Sequence, residues 1–273
     1  MVNFAFLDSG TGGLPYLKYL KEKSPLSKCI YVGDTKNFPY GEKTSEQIIK
    51  DSCECVQNIL DIWNPNVVVV ACNTISVTAL DEMRKRFPKT PFVGTVPAIK
   101  PAAAVTKSKK IGLLATDATV NHPYTKKLIE EFAESCSVFS RGDPKLVSFI
   151  EHEYFFSSNE QRLKAVTPAV DYFKSKGCDV IVLACTHFLN MADYIQTVAG
   201  SEIKVIDSRE GVVRHALEVE KSFFKEQTEK GLDFQTEVSN LFVTGFKKKN
   251  DSECYKSFCK NNGIVFGGLI PLV

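Results

Sequence analysis

The chain is 273 residues long, 44% hydrophobic and 24% charged, which is apolar material enough for one large domain or two smaller ones. A formal charge of +2 argues against a protein that tracks nucleic-acid phosphates. No apolar run approaches the roughly 20 residues that a membrane span needs, so neither nucleic acid nor membrane is an expected partner.

In chain order, periodicity predicts a strand at 3–8, a helix at 13–23, a strand at 29–33, a helix at 44–62, a strand at 67–72, a helix at 75–87 and a strand at 92–95. Pro97 and Pro101 then punctuate the chain. A second cycle follows: strand 110–115, helix 122–135, strand 136–140, helices near 143–152 and 158–176, and strand 179–184. A helix near 188–199, a strand at 203–206, a long helix at 209–229, a strand at 240–244 and a helix near 250–261 complete the reading. Strands alternating with helices predict an α/β fold of doubly wound parallel sheets. The N-terminus reaches its first strand, Phe4-Ala5-Phe6-Leu7, without a charged leader or a cleavage site. Nine cysteines, an odd number, read as free thiols in a reducing compartment, so the expectation is a cytoplasmic protein.

One phrase occurs twice. Val67-Val68-Val69-Val70-Ala71-Cys72-Asn73-Thr74 is matched by Val180-Ile181-Val182-Leu183-Ala184-Cys185-Thr186-His187, and the same shift lays Pro91-Phe92-Val93-Gly94-Thr95 over Lys204-Val205-Ile206-Asp207-Ser208. A shift shorter by six residues lays Ala5-Phe6-Leu7-Asp8-Ser9 over Gly112-Leu113-Leu114-Ala115-Thr116. The repeat predicts two similar lobes related by a pseudo-twofold axis, residues 1–95 with 208–273 and residues 96–207, with the active site in the cleft between them.

Each phrase puts a thiol at the carboxyl end of a buried strand, where α/β proteins bind ligands. A helix that starts within a few residues favours the thiolate. A single such cysteine reads as an inert buried thiol, whereas two at equivalent places suit a substrate held between two acid/base groups. His187 follows Cys185 by two residues, close enough to adjust that thiol's proton affinity or to donate to a ligand. Asp8-Ser9-Gly10-Thr11-Gly12-Gly13 lacks both the dinucleotide glycine spacing and the P-loop lysine. Its carboxylate disfavours phosphate and fits a ligand ammonium; a plain helix cap is the other reading. Phe38-Pro39-Tyr40-Gly41 is a turn able to offer N–H groups to a carboxylate. On spacing alone Glu151 reads as a solvated carboxylate. Cys53 and Cys55, two apart on a helix, point to different faces and predict no metal site. Lys107-Ser108-Lys109-Lys110 and Lys247-Lys248-Lys249 read as solvated loops.

Asp8-Ser9-Gly10-Thr11-Gly12-Gly13-Leu14, Gly33-Asp34-Thr35 with Pro39-Tyr40-Gly41-Glu42-Lys43, Ala71-Cys72-Asn73-Thr74 and Ala184-Cys185-Thr186-His187 together resemble glutamate racemase, in that family's order and spacing from about residue 3 to 215. The resemblance implies cofactor-independent interconversion of L- and D-glutamate, supplying D-glutamate for peptidoglycan synthesis. It further implies that Cys72 deprotonates D-glutamate and Cys185 L-glutamate, and that Asp8, His187 and Glu151 assist. Ser9, Tyr40, Gly41, Asn73, Thr74 and Thr186 match substrate-binding positions, and the family is often dimeric, so the resemblance admits a homodimer while the sequence itself sets no oligomeric state. The chain departs from the family at Ala184, where Gly is usual, at Leu189, where Pro is usual, and around Ser140-Arg141-Gly142-Asp143. A racemase of aspartate or another amino acid, and a two-lobe amino-acid-binding protein with idle thiols, are the competing readings.

Overall fold

The computed structural model describes residues 2–223, 239–248 and 251–270. The first elements are β1 (Phe4–Asp8), α1 (Leu14–Lys23), β2 (Cys29–Gly33), a 3-10 turn Tyr40–Glu42, α2 (Ser45–Trp63), β3 (Val67–Val70), α3 (Asn73–Arg86) and β4 (Phe92–Gly94). Next come α4 (Ile99–Val105), β5 (Lys110–Ala115), α5 (Asp117–Asn121), α6 (Pro123–Phe132), β6 (Ser137–Gly142), α7 (Pro144–His152) and a 3-10 turn Tyr154–Phe156. They are followed by α8 (Asn159–Ser175), β7 (Val180–Leu183), a 3-10 helix Thr186–Met191, α9 (Ala192–Ala199) and β8 (Lys204–Ile206). The last are α10 (Arg209–Phe223), β9 (Asn240–Val243), α11 (Asp251–Asn261) and β10 (Val265–Leu269).

The chain divides into two compact units, Met1–Thr95 with Arg209–Val273, and Val96–Ser208. The first holds a six-stranded sheet in the order β10-β9-β2-β1-β3-β4, the second a four-stranded sheet in the order β6-β5-β7-β8, and every pairing is parallel. All residues of β1, β2, β3 and β7 are buried, which is why these strands read as unbroken apolar runs rather than alternating ones.

The sequence repeat is a repeat of topology. The order β2-β1-β3-β4 of the first sheet recurs as β6-β5-β7-β8 in the second. The register agrees residue by residue: Phe4 opposite Val67 becomes Ile111 opposite Val180, and Val68 opposite Phe92 becomes Ile181 opposite Val205.

Local chemistry explains the helix ends. Thr44 and Gln47 form a reciprocal capping box at the start of α2, and Ser158 and Gln161 do the same for α8. The single helix predicted at 122–135 is two: α5 ends before His122, whose Nδ1 accepts from the Tyr124 N–H at 3.2 Å, and Pro123 opens α6. Pro101 concealed α4 but lies in its first turn, where no intrahelical N–H is required. β10 also escaped the sequence reading, because Gly267 and Gly268 interrupt its apolar pattern. The helix predicted near 188–199 begins as a 3-10 helix and becomes α only at Ala192. Of the helix predicted at 209–229, α10 is described to Phe223; the remainder lies outside the described residues, as do Lys249 and Asn250. The C-terminal β9 and β10 extend the first sheet on its β2 side.

No helix among the described residues is long and apolar enough to cross a membrane.

Candidate active site

In the first unit, the carboxyl ends of β1, β2 and β3 bring together Asp8, Asp34 and Cys72 with their neighbours. Cys72 is the N-cap residue of α3, with extended backbone at φ −139° and ψ 119°, so its sulfur sits at the positive end of a 14-residue helix. Its Sγ lies 3.9 Å from Ser9 Oγ, and Ser9 Oγ donates to Asp8 Oδ1 at 3.3 Å. A hydroxyl therefore stands between the carboxylate and the thiol.

Asp8 is fully buried, and its oxygens are held by the turn that follows it. Oδ1 accepts from the Ser9 N–H at 2.6 Å, and Oδ2 accepts from the Gly13 N–H at 2.5 Å and from Tyr31 Oη at 3.0 Å. Three such donors satisfy the buried carboxyl oxygens. Gly13 is required for this approach: a Cβ there would meet the Ala71 carbonyl oxygen at 2.5 Å and Asp8 Oδ2 at 3.0 Å. Asp8 is not the cap of α1, whose N-cap residue is Gly13; its carboxyl group ties down the glycine turn at the strand end.

Asn73 and Thr74 open α3, and both are buried. The Asn73 amide has no hydrogen-bond partner at Oδ1 or Nδ2 among the described residues. An unpartnered buried polar group costs about 1–3 kcal/mol, which a ligand carrying complementary groups recovers. Tyr40 is buried and donates its hydroxyl to Asp34 Oδ2 at 2.5 Å, while Gly41 beside it is half-buried. Burial, reinforced by the Asp34 charge, holds the Tyr40 phenol far above its ordinary pKa, so it remains a neutral donor.

In the second unit Cys185 stands at the end of β7 as Cys72 stands at the end of β3, again as an N-cap residue in extended conformation. Its neighbours differ. His187 Nδ1 lies 3.9 Å from Cys185 Sγ, and His187 Nε2 lies 2.9 Å from Glu151 Oε2, with all three side chains buried. Burial alone would favour the neutral imidazole. Hydrogen bonds and charge from Cys185 and Glu151 outweigh it and hold the His187 pKa well above its ordinary value. The imidazolium so favoured faces a carboxylate on one side and a sulfur on the other.

Glu151 corrects the reading from spacing. It is buried, because Asp143 caps α7 through the Leu146 N–H at 3.0 Å and the helix carries Glu151 inward with Leu146, Val147 and Ile150. Thr186 is buried between Cys185 and His187. Ala184, where the family usually has Gly, belongs to the apolar cluster of Val180 and Val182.

Two participants were not singled out from sequence. The Tyr31 hydroxyl bonds Asp8 Oδ2, the Gly10 carbonyl and the Gly13 N–H, each at 3.0 Å; a polar tip inside the apolar run Cys29–Gly33 was its only signal. Asp34 lay within a quoted motif without an assigned partner. Among the described residues no group of three or more His, Cys, Asp or Glu side chains is placed to hold a metal ion.

The model of the Asp/Glu/Hydantoin racemase family matches residues 17–216. The chain belongs to that family. Among Asp/Glu/Hydantoin racemases it is 42% identical over 214 residues to the glutamate racemase of Treponema pallidum (strain Nichols), covering 78% of this chain and 80% of the relative. It is 38% identical over 247 residues to the glutamate racemase of Bartonella quintana, covering 89% and 91%. Among solved structures of these racemases, that of Escherichia coli glutamate racemase in complex with L-glutamate and the activator UDP-MurNAc-ala has a TM-score of 0.84, with 28% identity and 100% of both chains covered.

Proposed function

We propose that this protein interconverts L- and D-glutamate by direct α-proton transfer, without a cofactor, with Cys72 and Cys185 as the two bases. What carries the reading is the pair of buried free thiols at equivalent N-cap positions, after β3 and after β7, within a chain of the racemase family.

Inversion requires the α-proton to leave one face of the carbon and a proton to arrive on the other. In the direction from L-glutamate, the Cys185 thiolate takes the proton and becomes a thiol. The Cys72 thiol gives its proton to the opposite face and becomes a thiolate. The reverse reaction exchanges the roles, so the two directions begin from opposite protonation states.

His187 stands beside the Cys185 sulfur as its hydrogen-bond partner, and Glu151 holds the imidazole in that orientation. Asp8, aided by Ser9, offsets the substrate ammonium, whose positive charge eases loss of the α-proton. The Asn73 amide, the Thr74 and Thr186 hydroxyls and the turn at Tyr40 and Gly41 hold the substrate carboxylates. Negative charge that builds on the α-carboxylate as the proton leaves is stabilised by preorganised donors of this kind. The biological counterpart of this reading is a cytoplasmic enzyme that supplies D-glutamate for peptidoglycan synthesis.

The test follows purified protein with L-glutamate in D₂O, reading the α-proton by NMR and handedness by circular dichroism. Loss of the α-proton signal with decay of ellipticity to zero is expected, and Cys72→Ser and Cys185→Ser should each slow it by roughly 10²–10⁴-fold. A wild-type spectrum that does not change, from folded protein, rejects the activity. Full activity in either serine variant rejects the two-thiol mechanism.

A further inference from the structure

The family match ends at residue 216, yet β9, which lies beyond it, pairs with β2 and delivers Thr244 to the loop that carries Tyr40. The Thr244 hydroxyl donates to Asp34 Oδ1 at 2.6 Å and accepts from the Lys36 N–H at 3.0 Å. Asp34 Oδ2 in turn accepts the Tyr40 hydroxyl at 2.5 Å, and Asn37 Nδ2 bonds the same carboxylate at 3.0 and 3.2 Å. Two further ties join the segments: Thr35 Oγ1 donates to the Gly245 carbonyl at 2.5 Å, and Lys247 Nζ donates to the Phe38 carbonyl. The turn 38–41 is therefore fixed from one side by a C-terminal strand more than 200 residues away in sequence.

We propose that Thr244 is a positioning residue for substrate binding, acting through Asp34 on Tyr40 and the Tyr40–Glu42 turn. This rests on the reading of Tyr40 and Gly41 as substrate-binding residues. The physical logic is one of fixed orientation. A buried carboxylate with four donor contacts has one low-energy rotamer, and a Tyr40 hydroxyl bonded to it cannot swing away. Without the Thr244 hydroxyl, Asp34 Oδ1 keeps only the 3.2 Å contact to Asn37, so the carboxylate can turn and release Tyr40. The turn then spends part of its time in conformations unable to receive a substrate carboxylate, which weakens binding by the fraction lost. The proton-transfer groups, at the ends of β3 and β7, are left as they are.

The experiment compares wild type, Thr244→Val, Thr244→Ser, Tyr40→Phe and the Thr244→Val/Tyr40→Phe double variant, measuring KM and kcat for L- and D-glutamate. Thr244→Val is expected to raise KM roughly five- to tenfold in both directions with kcat changed less than about twofold. Thr244→Ser, which keeps the hydroxyl, restores the wild-type KM. The double variant should be no worse than Tyr40→Phe alone, because both substitutions cut the same relay. Additive effects, an unchanged KM in Thr244→Val, a loss confined to kcat, or failure of serine to restore binding would each overturn the proposal. A wild type inactive on glutamate rejects the functional reading itself, and an active wild type with a Thr244→Val of normal KM rejects only the relay. Should the valine variant not fold, Thr244→Ala paired with Tyr40→Phe gives the same coupling test.

Discussion

His187 Nε2 and Glu151 Oε2 are 2.9 Å apart with both side chains buried, and the other ring nitrogen of His187 faces the Cys185 sulfur at 3.9 Å. Hydrogen bonds and charge from Cys185 and from Glu151, an acid 36 positions earlier in the chain, together raise the pKa of this buried histidine. Glu151→Gln keeps the size and a hydrogen-bonding group but removes the charge. The His187 pKa should fall, and each unit lost is a tenfold change in imidazolium on the alkaline side. The alkaline limb of the rate profile is expected to move to lower pH, so that kcat/KM falls off at a lower pH than in wild type. Both directions must fall by the same factor, because the enantiomers have equal energy in water. A profile unchanged in shape would show that the acid does not govern the proton on His187.

The same contact makes a prediction about stability. The folded His187 pKa lies well above the ordinary 6.5, so its stabilisation is complete below about pH 6.5 and is lost as pH rises through the elevated value. Thermal unfolding from pH 6 to 10 should show a decline in wild type that is shallower in Glu151→Gln. Parallel curves would mean that the imidazolium is not the group being titrated.

The unpartnered Asn73 amide predicts a trade between stability and binding. Asn73→Leu replaces it with an apolar side chain of similar volume, so the unliganded protein should keep its melting temperature or gain a few degrees. Glutamate binding, read as KM, should weaken at least about tenfold. A destabilised variant with normal KM would show that the amide serves the fold.

Gly13 has no room for a side chain, since a Cβ there meets main chain at the Ala71 carbonyl, next to Cys72. Gly13→Ala should cost about 1–3 kcal/mol in denaturant unfolding and displace Asp8 from the Gly13 N–H. An unaffected midpoint would mean that the turn relaxes freely, and that Asp8 depends on it less than the bonds imply.

The sequence by itself determined the architecture. Unbroken valine-rich runs require strands buried on both faces, and the duplicated phrase ending in Cys72 and Cys185 announced the parallel repeat; strand order and register, with Phe4–Val67 and Ile111–Val180 paired alike, came from the structure. These are local or periodic signals, and chain order carries them. Elements were lost where a local breaker overrode a correct context: Pro101 in α4, Gly267 and Gly268 in β10. Partnerships between distant residues were decided only by tertiary structure. Spacing could not foresee that α7 would turn Glu151 onto His187, that Tyr31 would reach back to Asp8, or that Thr244 would meet Asp34. Burial is what gives these contacts their force: the same carboxylates in water would be ordinary solvated charges, and only packing removes the solvent that would otherwise screen them.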